Sequence, residues 1–313
     1  MENNIKNEKG TYVWAMGGLN EIGKNMYIIE NGDDLLILDS GIKFGNGEIL
    51  GMNGLVSNFE YLEKFKGKIT LIITHGHEDH IGGIPYLLSK VKHIDKIYVA
   101  LLPGELIKRK LTEFKHLTAP EIIIYNKDSN FSTSKFKFDF FTVAHSIPHA
   151  FGIAIETPDG IIVSAGDYRF DFEMKDSYTD IHKIVEISKR GVDIFLGEST
   201  NAERSGFSET EMIVIDNIMN IIKDAKGRIF LSTFASNLGR IQKIIEQATR
   251  INKKICLIGR SMENNVKTFK SIGLLNATDS EFISSKELSS IPDNEVLVVL
   301  TGSQGEERAA LNR

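Results

Sequence analysis

Cysteine is almost missing from this sequence: Cys256 stands alone among 313 residues, so neither a disulfide framework nor a thiolate metal site can be built. It lies in the apolar run Lys254-Ile255-Cys256-Leu257-Ile258, where a small buried strand residue is expected. Long hydrophobic runs are lacking too. No apolar stretch approaches the roughly 20 residues needed to cross a bilayer, and the start, Met1-Glu2-Asn3-Asn4-Ile5-Lys6, has none of the apolar character of a signal peptide. That reading excludes a membrane partner and places the protein in the cytoplasm. An excess of positive charge is also absent. A formal net charge of −5 argues against whole-molecule attraction to nucleic acid, so any such contact must come from a local basic patch or from bound metal. The clearest basic run is Lys108-Arg109-Lys110, followed by Lys115 and His116, and a solvated helix face is the expected role for it.

With 42% hydrophobic and 25% charged residues, the chain can bury a sizeable core of one large or two ordinary domains. From Tyr12 to about Gly191 it is dominated by short apolar strands: 26–30, 35–39, 69–74, 97–100, 122–125, 136–143, 151–156 and 161–165. Asn31-Gly32 and Pro158-Asp159-Gly160 supply hairpin turns between neighbours. Helices are expected over 83–91 and 105–114, which suggests sheets with helices packed outside. From Val192 strands alternate with helices, the pattern of a doubly wound parallel sheet. Strands are expected over 192–196, 228–232, 254–258 and 295–300, and helices near 209–223, 238–249 and 262–271. The two domains therefore divide as 1–191 and 192–313, without a linker, repeat or low-complexity tract. After the last strand, 301–305 reads as a loop and 306–313 as the opening turns of a helix.

Chemistry is concentrated where the apolar strand Ile69-Thr70-Leu71-Ile72-Ile73-Thr74 runs into His75-Gly76-His77-Glu78-Asp79-His80. Four side chains able to ligate metal occupy six positions. An extended turn points His75 and His77 the same way, while a tighter turn aims Asp79 and His80 at a neighbouring point. Two more candidates follow strands: His145 in Val143-Ala144-His145-Ser146-Ile147-Pro148 and Asp167 in Ser164-Ala165-Gly166-Asp167. Each of these is weak by itself, since a lone histidine is more often structural and Gly-Asp is a common turn. A carboxylate such as Asp167 has two oxygens and can bridge two cations. Imidazole with carboxylate suits zinc first and manganese second. Two such ions, roughly 3.5 to 4 Å apart, would acidify a shared water and neutralise a crowded anionic transition state, as phosphodiester hydrolysis requires.

The combination of these elements resembles the metallo-β-lactamase superfamily and, more narrowly, the ribonuclease J family of its β-CASP branch. The likeness extends over the whole chain through further motifs: Gly17-Gly18-Leu19-Asn20-Glu21-Ile22-Gly23-Lys24-Asn25-Met26, Gly166-Asp167-Tyr168-Arg169-Phe170-Asp171, Glu198-Ser199-Thr200-Asn201-Ala202-Glu203-Arg204, Thr233-Phe234-Ala235-Ser236-Asn237 and Thr301-Gly302-Ser303-Gln304-Gly305. The resemblance implies an α/β fold in which a metallo-β-lactamase αββα sandwich, 1–191, is followed by an inserted β-CASP α/β domain, 192–313, with a mainly parallel sheet. It implies two zinc ions, or manganese. One would be held by His75, His77 and His145, the other by Asp79 and His80, with Asp167 between them. Glu198 matches an acidic residue near the catalytic centre, although by its sequence alone it reads as a cap of a helix or loop. Phe234, Ala235 and Ser236 would help hold the substrate phosphate at a helix N-terminus.

The implied activity is hydrolysis of RNA, from the 5′ end, internally or both, in RNA maturation and decay, with Asp79 aligning the attacking water. RNA is the implied partner, together with a homo-oligomer, dimer or tetramer, of the full-length protein and other members of an RNA-degradation complex. Departures from the family pattern matter. Its Gly-His phosphate loop and final ligand histidine have no counterpart, since the eight histidines (75, 77, 80, 93, 116, 145, 149 and 182) all precede position 183. Both β-CASP domain and sandwich are therefore expected to be incomplete at the C-terminus, and the chain alone to be inactive. His149 replaces a usual acid, and a surface position is expected for it; Gly239 replaces a usual histidine. Two rivals differ in kind: a small-molecule hydrolase on the same fold, which would lack residues 192–313, and a non-catalytic RNA-binding or scaffold fragment, which need not retain two ions.

Overall fold

The computed structural model describes residues 10–45, 51, 54–94, 96–173, 177–303 and 310–312. It divides into two compact units, the first holding residues 1–145, 149–170 and 179–200 and the second 146–148, 171–178 and 201–313.

The first unit opens with an antiparallel meander of β1 (Thr11–Gly17), β2 (Met26–Asn31) and β3 (Asp34–Leu38). Asn31 pairs with Asp34 across the expected turn, where Gly32 takes a φ of 64°. A short ribbon of β4 (Lys43–Phe44) and β5 (Gly54–Leu55) follows. Next come α1 (Glu60–Lys64), β6 (Lys68–Ile72), α2 (Glu78–Ile81), α3 (Ile84–Lys90), β7 (Lys96–Ala100), α4 (Leu101–Leu111) and β8 (Glu121–Tyr125). The sheet order is β1-β2-β3-β6-β7-β8, parallel from β3 onward. Helix α4 starts earlier than expected: Pro103 falls in its first turn, where no intrahelical donor is lost.

A second sheet, ordered β13-β12-β11-β10-β9, comprises β9 (Asn130–Ser132), β10 (Lys137–Thr142), β11 (Phe151–Thr157), β12 (Gly160–Gly166) and β13 (Ile194–Gly197), with α5 (Ile181–Ser188) between the last two strands. The sheets face each other through Ile29, Leu36, Leu38 and Ile72 on one side and Phe138, Phe140, Ile153, Ile155 and Ile162 on the other. Each such side chain contributes about 1.5–3 kcal/mol by leaving water. On the outer face of the second sheet, Ile187 of α5 packs with Phe141, Ala154 and Val163. The helix–sheet–sheet–helix order is the expected αββα sandwich.

The second unit contains α6 (Glu211–Asp224), β14 (Ile229–Ser232), α7 (Leu238–Arg250), β15 (Lys254–Ile258), α8 (Arg260–Ser271), β16 (Phe282–Ile283) and β17 (Val296–Leu300). Its sheet, β14-β17-β15-β16, is parallel throughout, and β17 is buried along its whole length, as a sheet covered on both faces requires. Cys256 lies buried in β15. The pattern change near residue 191 differs from the compact division. Strand β13 pairs in parallel with β12, so residues 192–200 group with the first unit. Of the expected loop and helix beyond β17, residues 304–309 and 313 lie outside the described residues, and 310–312 form a short 3-10 turn.

Candidate metal centre

Three strand ends deliver the candidate ligands. Strand β6 leads into Ile73-Thr74-His75, β10 leads through Val143 and Ala144 to His145, and β12 ends at Gly166 directly before Asp167. The approach to His75 is pinned from several sides. Ile73 donates its N–H to Tyr98, its carbonyl accepts the buried Tyr125 hydroxyl at 2.6 Å, and the Thr74 carbonyl accepts the N–H of Phe151 at 3.0 Å. The last of these ties the loop of one sheet to the other sheet.

The candidate ligand atoms fall into two groups sharing one residue: His75, His77, His145 and Asp167, and Asp79, His80 and Asp167, with all atoms of a group within 4.8 Å of one another. His77 Nδ1 lies 3.2 Å from His75 Nε2 and 3.0 Å from His145 Nε2. Donors about 2.1 Å from a tetrahedral ion stand about 3.4 Å apart, so these three nitrogens are near the spacing one cation imposes. Asp167 divides its oxygens: Oδ2 is 3.9 Å from His75 Nε2 and 3.8 Å from His145 Nε2, while Oδ1 is 3.4 Å from His80 Nε2. Asp79 Oδ2 stands 3.6 Å from His80 Nε2.

Protonation states follow from this packing. Burial, reinforced by the neighbouring imidazoles, pushes His75 well below the usual 6.5 and His145 down to about 3, so both keep a lone pair to offer. Burial would raise Asp167, but His80 and the other histidines outweigh it and hold the carboxyl at about 2. Burial also opposes charge on His80, yet Asp39 and Asp167 prevail and hold its pKa well above 6.5. A cluster of ionised carboxylates and inward-facing imidazoles, largely sheltered from water, is the donor set that suits divalent cations.

Two residues that sequence reasoning missed orient the ligands. Asp39, just beyond β3 and buried, accepts from Thr74 N–H at 2.8 Å and Thr74 Oγ1 at 2.7 Å, and His80 Nδ1 lies 2.7 Å from its Oδ2. The His80 Nδ1 proton therefore points to Asp39 and Nε2 faces the site. Because the Thr74 hydroxyl proton is committed to Asp39, its oxygen accepts from His75 Nδ1, 3.1 Å away, which turns His75 Nε2 inward. The available signal was a strand-end acid on β3, the parallel neighbour of β6.

Gly166 pairs with Gly197 in the parallel register of β12 and β13, so Glu198 stands one step beyond its strand just as Asp167 does. Its carboxylate also accepts the N–H of Thr200 at 2.5 Å, the turn-capping contact that its sequence suggested. In the second unit, Phe234, Ala235 and Ser236 lie between β14 and α7, whose N-cap Asn237 accepts from Arg240 N–H. Asn265 holds the Ala235 carbonyl at 2.9 Å. His149 is not a surface residue: it is half-buried, and its Nδ1 accepts the N–H of Leu102 in the first turn of α4 at 3.2 Å. Of the basic run, Lys110 pairs with Glu78 at 2.7 Å and Lys108 with Glu105 at 2.7 Å.

The sequence pattern described as metallo-beta-lactamase superfamily matches residues 19–189. The chain belongs to the metallo-β-lactamase superfamily. A second pattern, the ribonuclease J beta-CASP domain, matches residues 226–313, so the α/β unit that follows the sandwich is a β-CASP domain. The chain is 47% identical to Ribonuclease J of Mycoplasma genitalium over 306 residues, 97% of this chain and 54% of that protein. It is 39% identical to Ribonuclease J 1 of Streptococcus pyogenes, over 98% of this chain and 54% of that one, and 34% identical to Ribonuclease J2 of Bacillus subtilis, over 98% and 56%. It thus spans about half the length of the curated relatives it matches. A crystal structure of a protein of unknown function from Enterococcus faecalis V583 has a TM-score of 0.66 at 14% identity, covering 94% of this chain and 77% of that one, a likeness of fold alone. No helix among the described residues is long and apolar enough to cross a membrane.

Proposed function

We propose that this chain carries the metal-binding part of a ribonuclease that hydrolyses RNA phosphodiester bonds at a dinuclear centre, zinc first and manganese second. The observation that carries the reading is the pair of ligand groups sharing Asp167, in a chain that resembles proteins named Ribonuclease J over 97% of its length. His75, His77 and His145 would hold one ion and Asp79 and His80 the other, with Asp167 common to both groups. When bound there, two divalent cations supply charge against the phosphate oxygens and lower the pKa of a water between them. Asp39 and Thr74 set the tautomers of His80 and His75, Asp79 aligns the attacking water, and Glu198, one step beyond β13 as Asp167 is beyond β12, serves near the catalytic centre. The Phe234–Ser236 loop, which opens α7, helps hold a substrate phosphate.

The test is incubation of the full-length protein with 5′-monophosphorylated RNA, and in parallel with DNA, in the presence of Zn²⁺ or Mn²⁺ and with a chelator added. Cleavage is expected to require the metal and to disappear when Asp79 and His80 become Ala; cutting that survives both treatments refutes the assignment. Mononucleotide products indicate work from the 5′ end, and longer fragments internal cuts.

A further inference from the structure

The glycine-rich segment Gly17 to Met26 takes no part in the ligand set, yet it ends against it. Asn25, near the end of the segment, meets the Asp79–His80 turn through its backbone and its side-chain amide. Its N–H donates to the Asp79 carbonyl at 3.0 Å, its own carbonyl accepts from Gly41 N–H at 3.0 Å, and its side-chain Nδ2 donates to Asp79 Oδ2 at 3.2 Å. The same Nδ2 is 3.0 Å from His80 Nε2. One carboxamide thus spans the two ligand atoms that Asp79 and His80 offer to the second ion.

The surroundings hold that carboxamide in place. A Cβ on Gly18, whose φ is 85°, would stand 2.5 Å from Asn25 Oδ1, and one on Gly41 would stand 1.6 Å from the Asp79 carbonyl oxygen and 2.8 Å from Asn25 N. Asn20 and Lys24 take φ values of 55° and 56°, a left-handed conformation that is strained for a lysine and persists only where its surroundings demand it. Glu21 clamps the loop: it pairs with Lys24 at 3.1 Å and Lys43 at 2.9 Å.

We propose that Asn25 is a positioning residue of the second ion's half-site: its amide N–H fixes the Asp79 carboxylate beside His80, and the Gly17–Lys24 loop serves to hold that amide. The proposal rests on the reading that Asp79 and His80 hold a cation. Asn25 adds no charge. It narrows the arrangements of Asp79 to the one that faces the ion, and removing such a partner of a metal ligand weakens binding about 10- to 100-fold.

The experiment is titration of the protein with Zn²⁺, and separately Mn²⁺, against a chromophoric chelator, which resolves two successive dissociation constants. Asn25→Ala is expected to weaken the second about 10- to 100-fold and to leave the first unchanged, which also reports that the variant is folded. Asn25→Asp, of the same size but with no proton to donate, is expected to weaken it as well; tightening by Asp overturns the positioning role and makes position 25 a ligand. Gly18→Ala, which touches no ligand, is expected to copy Asn25→Ala, because its methyl displaces Oδ1. Two ions bound with wild-type constants in Asn25→Ala and Gly18→Ala overturn the proposal and spare the metal site; failure of the wild-type protein to bind two ions overturns the site reading itself.

Discussion

Asp39→Asn is the substitution on which the description of the site can be tested hardest. It changes no volume, so packing is preserved, and it exchanges one carboxylate oxygen for an amide group. If the amide nitrogen takes the Oδ2 position, it presents N–H to the Thr74 hydroxyl and to His80 Nδ1, both now held at 2.7 Å by an acceptor. If it takes the Oδ1 position, it faces the Thr74 N–H at 2.8 Å. The first orientation opposes two donors and the second opposes one, so either removes at least one buried hydrogen bond. A charge-assisted bond contributes about 1.5–3 kcal/mol, and a buried group left unpaired costs about 1–3 kcal/mol. The expected loss is therefore on the order of 2–4 kcal/mol, which in a domain of this size lowers the melting temperature by roughly 5–15 °C.

The first orientation has a chemical consequence as well. An N–H facing His80 Nδ1 favours the tautomer with its proton on Nε2, the atom directed at Asp79 and Asp167, and a protonated nitrogen cannot ligate. Asp39→Asn should weaken the second Zn²⁺ about 10- to 100-fold and leave the His75–His77–His145 group less affected. Thermal unfolding by circular dichroism and the chelator competition read the two effects separately. A variant with wild-type melting temperature and two wild-type dissociation constants would refute the account of Asp39.

Gly41→Ala should displace the Asp79–His80 turn, since the new methyl would overlap the Asp79 carbonyl at 1.6 Å; a loss of about 1–3 kcal/mol with one bound metal in place of two is expected from melting and metal analysis, and a two-metal variant of normal stability would contradict it. Glu21→Gln tests a pH dependence. Lys43 first, then Lys24, hold the Glu21 carboxyl at about 2 against an ordinary 4.5, so its contribution is complete above pH 4.5 and fades as the pH falls toward 2. Solvent screening reduces it to on the order of 1 kcal/mol. Denaturant melts should therefore show a wild-type advantage at pH 7 that shrinks at pH 4 and below, and a gap independent of pH would count against the clamp. Glu211→Ala removes a buried carboxylate that grips Arg240 with both oxygens, at 2.5 and 3.2 Å, and should cost about 3–5 kcal/mol in the second unit; a change under 1 kcal/mol in urea unfolding would rule that out.

The parts of the molecule visible in the sequence are those written in consecutive residues. The run from Ile69 to His80 announces both a strand and its ligands, and each strand of the parallel sheet keeps its apolar stretch. Asp39, Thr74 and Asn25 were not visible because their roles depend on partners that only folding supplies: Asp39 meets His80 across 41 positions and Asn25 meets Asp79 across 54. An aspartate after a strand looks the same whether it turns the chain or orients an imidazole. His149 illustrates the reverse error. Its φ of 60° turns the ring toward the start of α4, a conformation no composition argument anticipates for a histidine. Strand β13 was assigned to the wrong side of the pattern change for a related reason, since an alternating β/α rhythm does not say which sheet a boundary strand joins.

The arrangement also explains why the site sits where it does. Candidate ligands that come from the ends of β6, β10 and β12 are fixed by the same apolar side chains that hold the two sheets together, so ordering them costs little beyond what folding has already cost. What remains costly is charge. Asp39, Asp79 and Asp167 bring three carboxylates to one sheltered point, and burying such groups without partners is penalised by several kcal/mol each. Asp39 is compensated by three donors, Asp79 by Asn25, and Asp167 by His80 and the histidines around it. Each acid thus has a neutral or cationic partner, with His80 serving both Asp39 and Asp167. The candidate ligand atoms gather in two groups that share Asp167, a concentration of polar groups that pure fold stability would not select.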